Sequence, residues 1–403
     1  VSPLSTKEDL KKKAMDAIDQ LEETLISISD QMYHEPELGH QEFKSSRLLT
    51  DFLEKHGFEV ETGICGMPTS FRATMRGKAH GPTVAILAEY DALPGIGHGC
   101  GHNIIGTAAV GAGAALASVI DEIPGTILIL GTPAEEGAVD NAGGKAIMVE
   151  CGVFDNVDAA MMIHPSQVDM VMVSSNARVA LEISFYGKSA HAAGAPYEGI
   201  NALDAAILTF NGWNALRQHL KEDARIHGVI TKGGEAPNII PDYAEIRMYV
   251  RAKEMDYLKE IEEKVRNCAK GAALATGADV KFKYTAKPYA NMVTNRTLAN
   301  VFARNLESLG RKVLDPGETS GAGSTDMGNV SQVVPSIHAY MGICQPGTAT
   351  SHSREFAEAT VSPMGHKAIL DGAKALAATT IDVLCTPDLL DAIKEEFSTS
   401  KQN

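Results

Sequence analysis

The sequence predicts an α/β protein whose sheet is covered on both faces by helices and which is interrupted by a second, α+β domain. Three observations carry this. Short apolar runs alternate with helical patterns through the first part of the chain, the signature of an α/β sheet. Between Ala177 and Ala290 that rhythm gives way to a βαββαβ order, that of a ferredoxin-like unit. A length of 403 residues also exceeds what one hydrophobic core usually supports, so two domains are expected. The expected boundaries are residues 1–176 and 291–403 for the sheet domain and 177–290 for the insertion.

The elements follow in order. "DLKKKAMDAIDQLEETLISISDQMY" carries apolar residues at helical spacing, and "EFKSSRLLTDFLEKHGFEV" ends a second helix near Gly57. "TSFRATMRG" and "PTVAILAEYDALPG" read as strands, the second buried because its apolar run is continuous. A glycine-rich stretch, "GIGHGCGHNIIG", precedes an Ala/Gly helix expected from about Thr107. "GTILILGTPAEEG" and "DAAMMIHPSQ" repeat the pattern of a buried strand followed by a polar loop. Inside the insertion, "VALEISFYGK" is a strand, and "INALDAAILTFNGWNALRQHL" is a helix with Leu203, Ile207, Phe210 and Trp213 on one face. "ARIHGVITKGG" and "AEIRMYVRAK" are strands, followed by a helix with Leu258, Ile261, Val265 and Cys268 on its apolar side and a last strand, "DVKFKYTAK". "LANVFARNLESLG" and "PMGHKAILDGAKALAATTIDVL" then return as helices to the first sheet.

Composition excludes several classes. With 44% hydrophobic and 22% charged residues the chain reads as an ordinary globular protein. A net charge of −15 argues against nucleic-acid binding, which calls for a basic patch. The longest small-apolar run, "AAVGAGAALASVI", is too short for a membrane span and suits a tightly packed core helix. The six cysteines are scattered without a CxxC pair, which points to a reducing, cytoplasmic setting. The opening residues are too polar for a secretory signal.

In α/β sheets chemistry gathers at the carboxyl ends of strands. Glu89-Tyr90-Asp91, Glu135-Glu136 and His164 each directly follow an apolar run. Cys100 and His102 stand two apart, and in extended backbone both would face one centre. Thiolate with imidazole suits zinc and its neighbours better than magnesium or calcium. On that stretch alone, a tight turn around a buried cysteine accounts for the residues equally well. Adjacent glutamates diverge on a loop, so one can bind metal while the other faces a water; a solvated EE pair is the bland alternative. His164 and His352 alone are ordinary polar histidines. Together, Cys100, His102, Glu136, His164 and His352 supply about the number of ligands that two adjacent metals need. In the insertion, His191 sits in "GKSAHAAGAPYEG" as either a surface histidine or a donor to substrate. Asn238 and Arg251 suit a substrate carbonyl and a terminal carboxylate, although Arg251 also fits a plain strand surface.

These motifs, in this order, resemble the dinuclear metallopeptidase family of aminoacylase and carnosinase type, in particular its aminobenzoyl-glutamate hydrolase and Xaa-Arg dipeptidase-like branch. The pieces are "HEPELGHQEF", "AEYDALPGIGHGCGHN", "GTPAEEG", "SAHAAGAPYEGINALDA", "PNIIPD" and "GSTDMGNVSQVVPSIH". The resemblance implies a zinc-exopeptidase-like sheet domain with an inserted lid and dimerisation domain. It places Cys100, His102, Glu136, His164 and His352 as ligands of two divalent ions, zinc foremost, with manganese or cobalt as alternatives. Glu135 takes the general-base position, and His191 that of a lid histidine which steadies the tetrahedral intermediate, often across a dimer interface. Asn238 and Arg251 match lid residues that contact substrate. Many relatives carry His-x-Asp where this chain reads Glu89-Tyr90-Asp91; ligand duty passes to Cys100 and His102, with Asp91 orienting a ligand. The role of His98 and the identity of the bridging ligand stay open.

The expectation is therefore a homodimeric enzyme hydrolysing the amide bond of a small dipeptide or N-acyl amino acid by a metal-activated water. An aminobenzoyl-glutamate-type amidohydrolase would share every residue named. Two rivals from other classes are a Cys100 nucleophile paired with a histidine and a non-catalytic metal-binding scaffold of the same fold.

Overall fold

The computed structural model describes residues 5–314 and 323–400, so residues 1–4, 315–322 and 401–403 of the predicted sheet domain lie outside it. The described chain divides into two compact units. The first comprises residues 5–174, 292–314 and 326–400; the second comprises Ser175–Asn291 with residues 323–325.

The first unit is built on an eight-stranded mixed sheet of order β1-β2-β4-β3-β5-β12-β6-β11. Its strands are β1 (Glu59–Thr62), β2 (Phe71–Arg76), β3 (Thr83–Ala88), β4 (Thr126–Gly131), β5 (Ala159–Ser166), β6 (Asp169–Met170), β11 (Val313–Leu314) and β12 (Ser336–Gly342). The central run β4-β3-β5-β12 is parallel, so those strands end on the same edge. Alternation along β3 shows why the sheet needs cover on both sides. Val84, Ile86 and Ala88 enter one core while Ala85 and Leu87 enter the other. The larger core is closed by helices α1 (Lys7–Gln20), α2 (Glu22–His34), α3 (Phe43–Lys55), α4 (His102–Ala117), α8 (Arg296–Ser308), α11 (Pro363–Cys385) and α12 (Pro387–Ser400). The smaller takes Met148 of α5 (Gly144–Glu150) and Met327 and Val330 of α9 (Met327–Ser331), and α10 (Arg354–Thr360) adds Phe356 to the larger.

Two elements differ from the periodicity. The opening helical stretch is two helices, broken at Leu21, whose N–H closes back onto Ile18. The Ala/Gly helix starts at His102, well before Thr107, and is buried from His102 through Leu116. A helix apolar all round lies inside the core. Here glycines and alanines let it pack closely: a Cβ at Gly111 would lie 3.1 Å from Leu25 and 3.3 Å from Ala373 of α11.

The second unit is a four-stranded antiparallel sheet, order β10-β7-β9-β8, of β7 (Ala177–Tyr186), β8 (Arg225–Lys232), β9 (Tyr243–Ala252) and β10 (Asp279–Tyr284). Helices α6 (Ala202–Leu216) and α7 (Met255–Thr276) cover one face, giving the ferredoxin-like βαββαβ order. The core face of α6 is Ala202, Ala205, Ala206, Thr209 and Trp213. Of the larger residues expected there, Ile207 is 44% exposed, because small alanines rather than the branched side chains admit the close approach of α7. Among the described residues no helix is long and apolar enough to cross a membrane.

Gly131 ends β4 opposite Phe71, and a Cβ there would fall 2.1 Å from the Phe71 ring. Gly131→Ala is therefore expected to lower stability by about 1–3 kcal/mol through overpacking. Chemical denaturation would show this as a reduced midpoint, and an unchanged midpoint would mean that Phe71 moves freely.

Candidate metal centre

The parallel strands deliver their carboxyl ends to one place, where β3 runs into Glu89 and Asp91, β4 into Glu135 and Glu136, and β5 carries His164 near its end. Cys100 and His102 are not on an extended segment. Gly101 turns the chain at φ 79° and His102 is the first residue of α4. A side chain at Gly101 would strike Pro165 at 2.6 Å, so glycine both permits the turn and lets this loop sit against the end of β5. His352 adopts φ 70°, and its N–H donates to Gly99 O at 2.7 Å, which ties the late loop to the glycine-rich one.

Each histidine here has one ring nitrogen committed. His102 Nδ1 lies 2.9 Å from Asp91 Oδ1, and His164 Nδ1 lies 2.8 Å from the Pro165 carbonyl. Neither acceptor carries a proton of its own at neutral pH, so both Nδ1 atoms donate and both Nε2 lone pairs are left pointing inward. His164 Nε2 is 3.4 Å from Cys100 Sγ. His102 Nε2 lies 3.2 Å from Glu89, 3.9 Å from Glu136 and 4.0 Å from Glu135. His352 Nε2 is 3.5 Å from Glu136 Oε1. The glutamate loop is held by the backbone, because Ala134 N–H donates to Glu42 Oε1 at 2.9 Å and Glu136 N–H to Asp91 Oδ2 at 2.9 Å.

These atoms form overlapping sets, each within 4.8 Å: Cys100, His102 and His164; Cys100, Glu136 and His352; His102, Glu135 and Glu136. The shared members fit a pair of neighbouring ions better than a single one. The charge balance fits as well. Burial, and then the Glu136 charge, pushes the Cys100 thiol up to about 12. Burial, then the charges of Glu89 and Glu136, holds Glu135 well above the carboxylate range, and burial raises Glu136. Burial opposes a charge on His102, yet Glu89 and Asp91 raise its pKa far above that of free imidazole. Protons thus hold the place of a cation. His102 Nε2 and Glu136 Oε1 are buried without a hydrogen-bond partner among the described residues, as ligand atoms would be. A thiol raised this far is also a poor nucleophile.

Sequence reasoning passed over a second buried cluster. Lys145 Nζ lies 2.5 Å from Glu89 Oε1 and 2.7 Å from Asp326 Oδ1, and all three side chains are wholly buried. Burial opposes the charge on Glu89, but Lys145 and then His102 hold its carboxyl at about 2. His338, buried on β12, stacks 5.1 Å from His164, and burial depresses it to about 3. A lysine in "GGKAIMV" and an aspartate in "STDMG" carry no signal by themselves; only the strand order makes them neighbours.

The remaining candidates belong to the second unit. His191 lies on an exposed loop whose backbone pairs with Ile239, and Ala192 N–H donates to Asn238 O at 3.0 Å, so His191 and Asn238 stand on adjoining segments. Ala193 and Gly194 N–H groups donate to His191 Nδ1 at 3.2 and 3.0 Å, which leaves the ring proton on Nε2, facing outward. Arg251 lies apart from that pair, near the end of β9, donating to Ser324 Oγ at 3.0 Å.

Residues 85–381 match the model of peptidase family M20/M25/M40. The chain is 40% identical to the Xaa-Arg dipeptidase of Mus musculus over 98% of its own length and 93% of that protein. It is 32% identical to a p-aminobenzoyl-glutamate hydrolase polypeptide of Escherichia coli (strain K12), covering 94% of this chain and 93% of the relative. Among solved structures, a dinuclear metal-binding peptidase of the M20 family from Bacillus subtilis superposes with a TM-score of 0.67 at 24% identity, over 91% of this chain and 99% of that one.

A thiol held near 12 must lose its proton to a metal. Loading is expected to release at least one proton per chain at neutral pH, and apparent affinity is expected to rise with pH. Calorimetric titration in buffers of different ionisation enthalpy reads this directly, and buffer-independent heat would contradict it.

Proposed function

The chain belongs to peptidase family M20/M25/M40, and from that membership we propose that it is a metal-dependent hydrolase of the amide bond in a small dipeptide or N-acyl amino acid. One observation carries the reading. Two histidines, each with Nδ1 tied to an oxygen, aim Nε2 into a buried nest of thiol and carboxylates that includes Glu135. Cys100, His102, Glu136, His164 and His352 would hold two divalent ions, zinc foremost on account of the mixed thiolate and imidazole donors, with manganese or cobalt as alternatives. Bound there, the ions supply Lewis-acid polarisation of the scissile carbonyl and acidify a water.

The protein's own groups do the rest. Glu135 accepts a proton from the attacking water and passes it to the departing amine. Burial beside Glu89 and Glu136 suits that duty, since a carboxylate raised toward neutrality both takes and returns a proton. Asp91 keeps His102 in the Nδ1–H tautomer and fixes the backbone of Glu136. His191, whose Nε2–H faces outward, serves as a donor to the oxyanion. Asn238 and Arg251 contact the substrate carbonyl and carboxylate.

A homodimer through the second unit is part of the same reading. It is supported by the edge strand β8, where Val229 and Ile230 are exposed, and by exposed Ile207 and Leu208 on α6. Six unpaired cysteines support a cytoplasmic home.

The test is product release from a pool of dipeptides, N-acyl amino acids and aminobenzoyl-glutamate, read by mass spectrometry with and without a chelator. Chelator-sensitive release of a free amino acid is expected. Glu135→Gln should lose about 100- to 10,000-fold in turnover while keeping its metal. Loss of metal in that variant would mean that Glu135 is a ligand, and no release by the metal-loaded wild type would overturn the hydrolase reading.

A further inference from the structure

The open face of the second unit's sheet, away from α6 and α7, carries a row of arginines. Register pairs Arg178 of β7 with Arg251 of β9, and Arg251 in turn with Arg225 of β8. Directly paired residues on antiparallel strands point to the same face, so three like charges lie side by side, an arrangement that repels. Arg225 turns its Nη1 to the carbonyls of Glu222 and Ala224. The other two have no carboxylate among the described residues. Arg178 is only 5% exposed, and its Nε and Nη2 are buried without a hydrogen-bond acceptor. Its guanidinium is held between rings, 4.0 Å from the Tyr289 centroid and 5.0 Å from that of Tyr249. Arg251 donates to Ser324 alone.

Two rows away on the same face the usual solution is present. Arg247 pairs in register with Glu182, meets its carboxylate at 3.1 Å, and has Glu245 at 3.8 Å. Arg266 has Glu262 at 2.6 Å. A protein with fifteen surplus negative charges therefore leaves one desolvated guanidinium pair without an anion. Guanidinium forks are matched to carboxylates, and a buried donor left unmade is costly.

We propose that Arg178 and Arg251 form the receptor for an amino-acid unit bearing two carboxylates, one taken by Arg251 beside Ser324 and the other by the open donors of Arg178. Facing Cα atoms on such strands lie about 5 Å apart, a span that the two carboxylates of a glutamate or aspartate unit can bridge. Arg178 is then the residue that selects for the second carboxylate. That this unit is the amino acid released on hydrolysis rests on the function proposed above; the binding itself does not.

The experiment is calorimetric titration of the full-length, metal-loaded chain with L-glutamate, L-glutamine and L-arginine. Wild type should bind glutamate roughly ten- to a hundredfold more tightly than glutamine, the range of a charge-assisted hydrogen bond, and arginine more weakly than either. Arg178→Met should erase the preference for glutamate over glutamine while leaving glutamine affinity in place, and Arg178→Lys should restore part of it. The thermal midpoint of ligand-free Arg178→Met should equal or exceed that of wild type, since a repelled, unpaired charge is gone. Equal affinity of wild type for glutamate and glutamine overturns the proposal, even if the Met variant does not fold. So does tighter binding of arginine, or a preference that survives in a folded Met variant. Glutamate selectivity without hydrolysis of any N-acyl-glutamate would keep the receptor and reject the hydrolase.

Discussion

One buried carboxylate holds the metal centre in shape. Asp91 sits just past β3, with Oδ1 on His102 Nδ1 and Oδ2 on the backbone N–H of Glu136. Through it the start of α4 and the loop after β4 are locked to the same strand end. The bond to His102 also chooses the tautomer, so a single side chain sets where Nε2 points and where the glutamate pair begins. The glycine-rich loop, the left-handed turn at Gly101 and the fully buried helix behind it all serve to bring His102 to that carboxylate.

Around this point the protein treats two groups of acids differently. Glu89 and Asp326 receive a permanent internal cation in Lys145, closed from solvent. A buried triad of this kind gains little net stability, because desolvation offsets much of the attraction. Its effect is to fix Glu89 as a carboxylate beside His102. Cys100, Glu135 and Glu136 are given no such partner and stay neutral by holding protons. The contrast separates a structural cation from a place reserved for an exchangeable one.

Much of this was legible in the chain. Continuous apolar runs ending in Glu, Asp or His placed the chemistry at strand ends, since a buried parallel strand has to be apolar until it emerges. The βαββαβ order marked the second unit because its strand and helix periods are distinct. What stayed hidden depends on tertiary neighbours. Helix α4 begins at His102 without a capping side chain, so no Ser, Thr, Asp or Asn announced it. Lys145, Asp326 and His338 are far apart in sequence and unremarkable alone. Arg178 reads as an ordinary strand residue until its register partner is known. On α6 the branched residues looked like the core face, whereas close packing against α7 favoured the alanines.

The central claim is that Cys100, His102, Glu136, His164 and His352 together hold two ions. Cobalt(II) titration of the metal-free protein, followed by absorption spectroscopy, tests it most directly. Two equivalents should bind, with a thiolate-to-metal charge-transfer band that disappears in Cys100→Ser. Saturation at a single equivalent, or a full titration without any thiolate band, would contradict the account.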